Sequence, residues 1–78
     1  MVRVMYFSIV REKVGKAEEL VEFRGSVGEL REKLAQMYPQ IRDMLTAVRF
    51  AVNEEYVKDD FYLRGDETVA LIPPVSGG

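Results

Sequence analysis

Two glycines, Gly77 and Gly78, close the sequence directly behind Pro73-Pro74-Val75-Ser76 and the apolar run Val69-Ala70-Leu71-Ile72. The chemistry such an ending offers is that of an α-carboxyl group. With an ordinary pKa of about 3.3–3.7 it is a carboxylate at neutral pH, and a poor electrophile until one oxygen becomes a leaving group. Glycines have no Cβ, so a Gly-Gly segment can thread a channel too narrow for other residues and adopt dihedrals closed to them. Pro73 and Pro74 fix φ near polyproline geometry, which lowers the entropy lost when such a segment is inserted into a partner. Extended, residues 73–78 would reach about 20 Å. The expectation is a reactive terminus carried on a globular handle.

The rest of the composition leaves few alternatives. The chain has no cysteine and no histidine. That removes thiolate nucleophiles, disulfides and zinc sites, and with them the usual general base near neutral pH. No metal site is expected. The net charge is −2, with acidic and basic residues interspersed, so there is no basic footprint for nucleic acid. The opening MVRVMYFSIV alternates like a strand and lacks a small-residue cleavage site, unlike a signal peptide. No run approaches the roughly 18 apolar residues of a membrane span. The expected setting is cytoplasmic, without nucleic acid or membrane.

The elements that must position the tail follow from periodicity. At 78 residues and 47% hydrophobic content, the chain is one domain held by apolar packing. Residues 2–9 alternate with period two and predict a strand; 11–16 predict a polar turn bent at Gly15; 17–23 predict a second, antiparallel strand, closed by Gly25-Ser26. Ser26 and Glu29 form a capping-box pattern. It precedes Val27, Leu30, Leu34, Met37 and Tyr38 at helical spacing, so a helix is expected over 26–38, stopped by Pro39. Ile41, Met44 and Leu45 suggest a further short helical turn. Strands are expected at 48–53, at Tyr56-Val57 after a tight turn at Glu54-Glu55, and at 67–72 after the Arg64-Gly65-Asp66 turn. The architecture is α+β, with one sheet face covered by the helix. Val4, Tyr6, Phe50, Val52, Val69 and Leu71 would meet Val27, Leu30 and Leu34. Met5, Phe7, Ala51, Ala70 and Ile72 would form an apolar second face, a docking patch for another protein.

Together, YFSIVREKVG at 6–15, the capped helix opening SVGEL, AVNEEYV at 51–57 and above all GDETVALIPPVSGG at 65–78 resemble the ubiquitin-like sulfur carriers that form the small subunit of molybdopterin synthase. The resemblance spans essentially the whole chain. It implies a β-grasp fold: a mixed sheet packed on one main helix over residues 1–72, with a flexible C-terminal Gly-Gly tail over 73–78. It implies no permanently bound cofactor. Instead the Gly78 carboxylate would be adenylated with ATP by a ubiquitin-activating-type adenylyltransferase, then converted to a thiocarboxylate. Pro74, Val75, Ser76 and Gly77 would enter the active site of the large subunit of molybdopterin synthase, within a heterotetramer. There the sulfur builds the dithiolene of molybdopterin from cyclic pyranopterin monophosphate. Phe7, Tyr56 and Ile72 match positions where the family's sheet meets that subunit, and Arg11 would face an acidic group on it. Such a carrier is not catalytic on its own. The alternatives are a thiamine-pathway sulfur carrier and a protein modifier joined through Gly78 to lysines.

Overall fold

The computed structural model describes residues 1–75. The opening alternation produces β1 (Val2–Tyr6), in which Val2, Val4 and Tyr6 are buried and Arg3 is exposed. The strand stops there rather than running to residue 9. Phe7 is still extended, Ser8 turns with φ 49°, and the chain enters α1 (Ser8–Val14). This helix replaces the polar turn expected over 11–16. The signal for it was the four-residue spacing of Val10 and Val14, which puts both on one helical side; Val10 is fully buried and Val14 packs partly against the core. Gly15 is the left-handed C-cap of that helix, at φ 88°, with its N–H donating to the Arg11 carbonyl at 2.9 Å.

Beyond it, β2 (Glu18–Val21) returns antiparallel to β1, with Val2 opposite Val21 and Val4 opposite Glu19. The pairing is the one expected, although the strand is shorter than 17–23. Gly25-Ser26, expected only as a closing turn, forms β3 (Gly25–Ser26) and pairs with β6 (Tyr62–Leu63). Two-residue strands leave no alternation to detect, so neither was visible in the sequence.

The main helix is α2 (Val27–Met37). Both halves of its capping box are made: the Glu29 N–H donates to Ser26 Oγ at 3.1 Å, and the Ser26 N–H donates to Glu29 Oε1 at 2.9 Å. Pro39 follows the C-cap Tyr38 and starts a 3-10 turn, Pro39–Ile41, that leads into α3 (Arg42–Leu45). Strands β4 (Arg49–Val52) and β5 (Glu55–Val57) then form a hairpin. Its turn lies one residue earlier than expected, at Asn53 and Glu54, with φ of 49° and 73°. Two successive positive φ values are what a tight I′ hairpin demands, and the asparagine is the residue that tolerates them.

The last strand, β7 (Thr68–Ile72), lies at the centre. It runs parallel to β1 and antiparallel to β4, giving the mixed order β2-β1-β7-β4-β5. This is the α+β β-grasp arrangement. Val4, Tyr6, Phe50, Val52, Val69 and Leu71 meet Val27, Leu30 and Leu34, and all nine side chains are buried. Leu34 has no exposed surface. Leu34→Ala is therefore expected to cost about 2–5 kcal/mol through lost transfer energy and the cavity left behind. Urea unfolding measures it, and a cost under about 1 kcal/mol would contradict this packing.

Polar side chains tie the layers together. Tyr6 and Tyr38 both donate to Glu19 Oε2, the former at 2.6 Å, joining β1, β2 and the end of α2. Burial and the Glu19 carboxylate push the Tyr6 hydroxyl well above its ordinary pKa. From α2, Arg31 reaches the carbonyls of Leu45 and Val48 and the Asp59 carboxylate, and its guanidinium lies 4.6 Å from the Phe50 ring centroid.

Glu67 holds the turn that launches β7. Its buried carboxylate accepts the backbone N–H groups of Arg64, Gly65 and Asp66 at 2.8, 3.0 and 3.1 Å. Burial alone would raise its pKa, but the N–H donors together outweigh burial and hold it below the ordinary carboxylate value. A depressed native pKa contributes stability that is complete above the unfolded value and disappears as pH falls through the native one. Glu67→Gln should thus cost about 1–3 kcal/mol at pH 7, where charged acceptors are lost. The gap between the two proteins should narrow in acid, as the wild-type carboxylate is protonated. Urea midpoints at pH 7 and pH 3 check this; a gap independent of pH would show that the charge is irrelevant.

Candidate functional site

The alternation that sends Phe50 and Val52 inward sends Arg49 and Ala51 to the opposite face of the sheet. The register completes that face. Met5, Ala70, Ala51 and Tyr56 form one continuous row across β1, β7, β4 and β5. In the next row Ile72 stands opposite Arg49, and Phe7 lies just past the end of β1. Met5, Ala70 and Ile72 are half-buried, whereas Phe7 and Tyr56 are 41% and 57% exposed. Ala51 departs from the expected outward patch, since it is buried. A methyl group in the middle of the sheet, between Ala70 and Tyr56 in register, has little surface left to show.

Phe7 and Ile72 share a cleft. Phe7, Ser8 and Ile9 form one wall, and Ile72 with Pro73, Pro74 and Val75 forms the other. The backbone turn at Ser8 builds the first wall, because it redirects the chain out of β1 and into α1. The second wall is the exit of β7. Pro73 is half-buried against the body, Pro74 is exposed, and Val75 is 96% exposed. The segment therefore leaves the domain at this cleft, one residue after the strand ends. Ser76, Gly77 and Gly78 lie outside the described residues.

The other candidates fall around this cleft at different distances. Arg11 is on α1, not in a turn. Its N–H donates to the Phe7 carbonyl at 3.3 Å, so it stands one helical turn above Phe7, with its side chain exposed. Tyr56 lies on the edge strand β5 and is linked to the cleft through Arg49, whose guanidinium carbon is 4.5 Å from the Tyr56 ring centroid. Phe7, Ile72, Pro74 and Val75 are thus brought together, Arg11 flanks them, and Tyr56 extends the face sideways. Two contributors were missed. Ile9, 41% exposed, was placed in a strand that ends before it. Arg49 was legible, because the same alternation that buries Phe50 turns its neighbour outward. Among the described residues no group of three or more acidic side chains is placed to hold a metal ion. Nor is any helix among them long and apolar enough to cross a membrane.

A family model described as the ThiS family matches residues 4–78. The molybdopterin synthase sulfur carrier subunit of Mycobacterium tuberculosis is 38% identical over 80 residues, covering 99% of this chain and 96% of that protein. A solved structure of a proposed molybdopterin converting factor subunit 1 from Pyrococcus furiosus is 30% identical, with a TM-score of 0.83 over 95% of this chain and 97% of that one. A chain in the complex of subunits 1 and 2 of the molybdopterin-converting factor from Helicobacter pylori is 22% identical. It matches with a TM-score of 0.71 over 99% of this chain and 97% of its own, a likeness of fold.

Proposed function

This chain belongs to the ThiS family, and we propose that it is the sulfur-carrying small subunit of molybdopterin synthase. The near full-length likeness to a protein named for that role, at 38% identity, carries the proposal. The cleft where the tail leaves the body supports it, because it joins an apolar contact surface directly to the segment that would be delivered.

Gly78 is the proposed reactive residue. Its carboxylate attacks the α-phosphorus of ATP on an adenylyltransferase, pyrophosphate departs, and the acyl-adenylate then has a leaving group that the carboxylate lacks. A sulfur nucleophile attacks the carbonyl carbon, AMP departs, and the product is a thiocarboxylate. ATP is consumed at that step and is not a resident cofactor. The outer face around Phe7 and Ile72 then docks on the large subunit, and the tail carries the sulfur to cyclic pyranopterin monophosphate. The fold supplies position rather than catalysis. The proposed setting is cytoplasmic, and the assembly is a heterotetramer.

Incubation with the activating enzyme, ATP and a sulfur donor, followed by intact-protein mass spectrometry, tests the proposal. The expected product has gained the mass difference of sulfur for oxygen at its C-terminus, and adding large subunit and cyclic pyranopterin monophosphate discharges it. A mass unchanged after activation would refute sulfur carriage. Lysines on other proteins bearing a Gly-Gly remnant would identify a modifier instead, and discharge only into thiamine-precursor synthesis would identify the other carrier class.

A further inference from the structure

Arg49 interrupts the apolar run of the outer face between Ile72 and Tyr56. It stands opposite Ile72 in the β4–β7 register and lies on the Tyr56 ring at 4.5 Å, with both side chains exposed. A stacked guanidinium presents its N–H donors along its edge, a fork that matches a carboxylate in bidentate fashion. Among the described residues, the ion pairs are Arg3–Glu18, Lys16–Glu19 and Arg31–Asp59, and none uses Arg49. No side-chain hydrogen bond among those residues uses it either. Two further cations lie toward the same end of the sheet. Lys58 follows β5 at the place that continues the pairing opposite Arg49, and Arg11 rises above Phe7. The chain as a whole carries a net −2, so this cationic end runs against the charge of the rest.

We propose that Arg49, held in place by Tyr56, is a specificity-determining residue of the outer face, and that the partner docking there brings a carboxylate to meet it. The proposal rests on the docking role given to this face above. A guanidinium covered by an apolar partner surface would lose its water with nothing in return. A partner carboxylate removes that penalty and fixes the rotational register of the two bodies. Tyr56 acts as a positioning residue: its ring holds the fork flat at the boundary of the Phe7–Ile72 cleft.

Calorimetric titration of the large synthase subunit into wild type, Arg49→Leu and Arg49→Lys tests this, with Lys33→Gln on the far helix as a charge-matched control. Arg49→Leu should weaken binding at least about tenfold at low salt, as truncation of a paired interfacial charge does. The wild-type affinity should fall with added salt more steeply than that of Arg49→Leu. Arg49→Lys keeps the charge without the planar fork and should fall between the two, while Lys33→Gln should match wild type. An apolar contact makes the opposite forecast, namely that leucine binds equally well or better; that result would overturn the proposal while leaving the docking face in place. Failure of the wild type itself to bind would remove the docking role, and this inference with it.

Discussion

Deletion of Gly78 is expected to abolish thiocarboxylate formation and sulfur transfer while leaving the thermal midpoint unchanged. The core ends at Leu71, inside the last strand, and the described residues that follow, 72–75, are outside the packed cluster. The shortened chain still ends in a glycine carboxylate, so the reactive group survives chemically. It is displaced by one extended residue, about 3.3–3.6 Å, and a misplacement of even 1 Å can cost about a hundredfold in rate. The start of the tail is fixed, since Pro73 is half-buried where it leaves the body and both prolines restrict φ. The body therefore cannot move forward to make up the difference without lifting Phe7 and Ile72 from their contact. Binding of the large subunit should persist, which separates this variant from an unfolded one. Intact mass after activation decides it: equal thiocarboxylate yields from the two chains would mean that Gly78 is not the reacting residue.

The parts of this molecule that repeat a pattern over several residues were legible in the sequence, and the parts built by single turns were not. The alternation in Val2–Tyr6, Arg49–Val52 and Thr68–Ile72 specified both faces of the sheet, and the Ser26–Glu29 box placed the start of α2 within one residue. The helix Ser8–Val14 was lost because Phe7 and Ile9 continue the alternation of β1 in composition, while the actual break is a positive φ at Ser8, a residue with no special claim to it. That error also put Arg11 in a turn. Strands β3 and β6 exist only through each other, Gly25 paired with Leu63 and Ser26 with Tyr62, and local patterning carries no trace of so distant a contact. The pairing of β1 with β7 is likewise long-range, yet it brings Phe7 beside Ile72, two residues the outer face already shared by parity. The cleft was thus foreseeable in membership and not in shape, since its first wall depends on the turn at Ser8. The tail proposed as reactive was read from residue type alone, and its last three residues lie outside the described ones.

Phe7→Arg is expected to lower affinity for the large subunit about a hundredfold or more without unfolding the domain. Phe7 is 41% exposed and outside both β1 and the packed cluster, so its replacement leaves the core intact. In the proposed complex the same position would be the centre of the apolar contact, where charged residues are depleted and single side chains can be worth about 2 kcal/mol or more. An arginine there must give up its water without a partner, which adds to the loss of the aromatic ring. Ile72→Arg tests the other wall of the cleft, but with a difference that the register dictates. Ile72 is half-buried and sits opposite Arg49, so the new charge faces a like charge across the strands. That should cost up to about 1 kcal/mol of stability, visible as a modest fall in the thermal midpoint. Ile72→Glu places the opposite charge in the same site and should spare that stability, while still weakening docking because it occupies the Arg49 fork from within the chain. Far-UV circular dichroism establishes that each variant is folded, and calorimetric titration reads the affinity. Should Phe7→Arg and Ile72→Arg both bind the large subunit as tightly as wild type, the outer face is incidental surface and the carrier docks through some other part of its body.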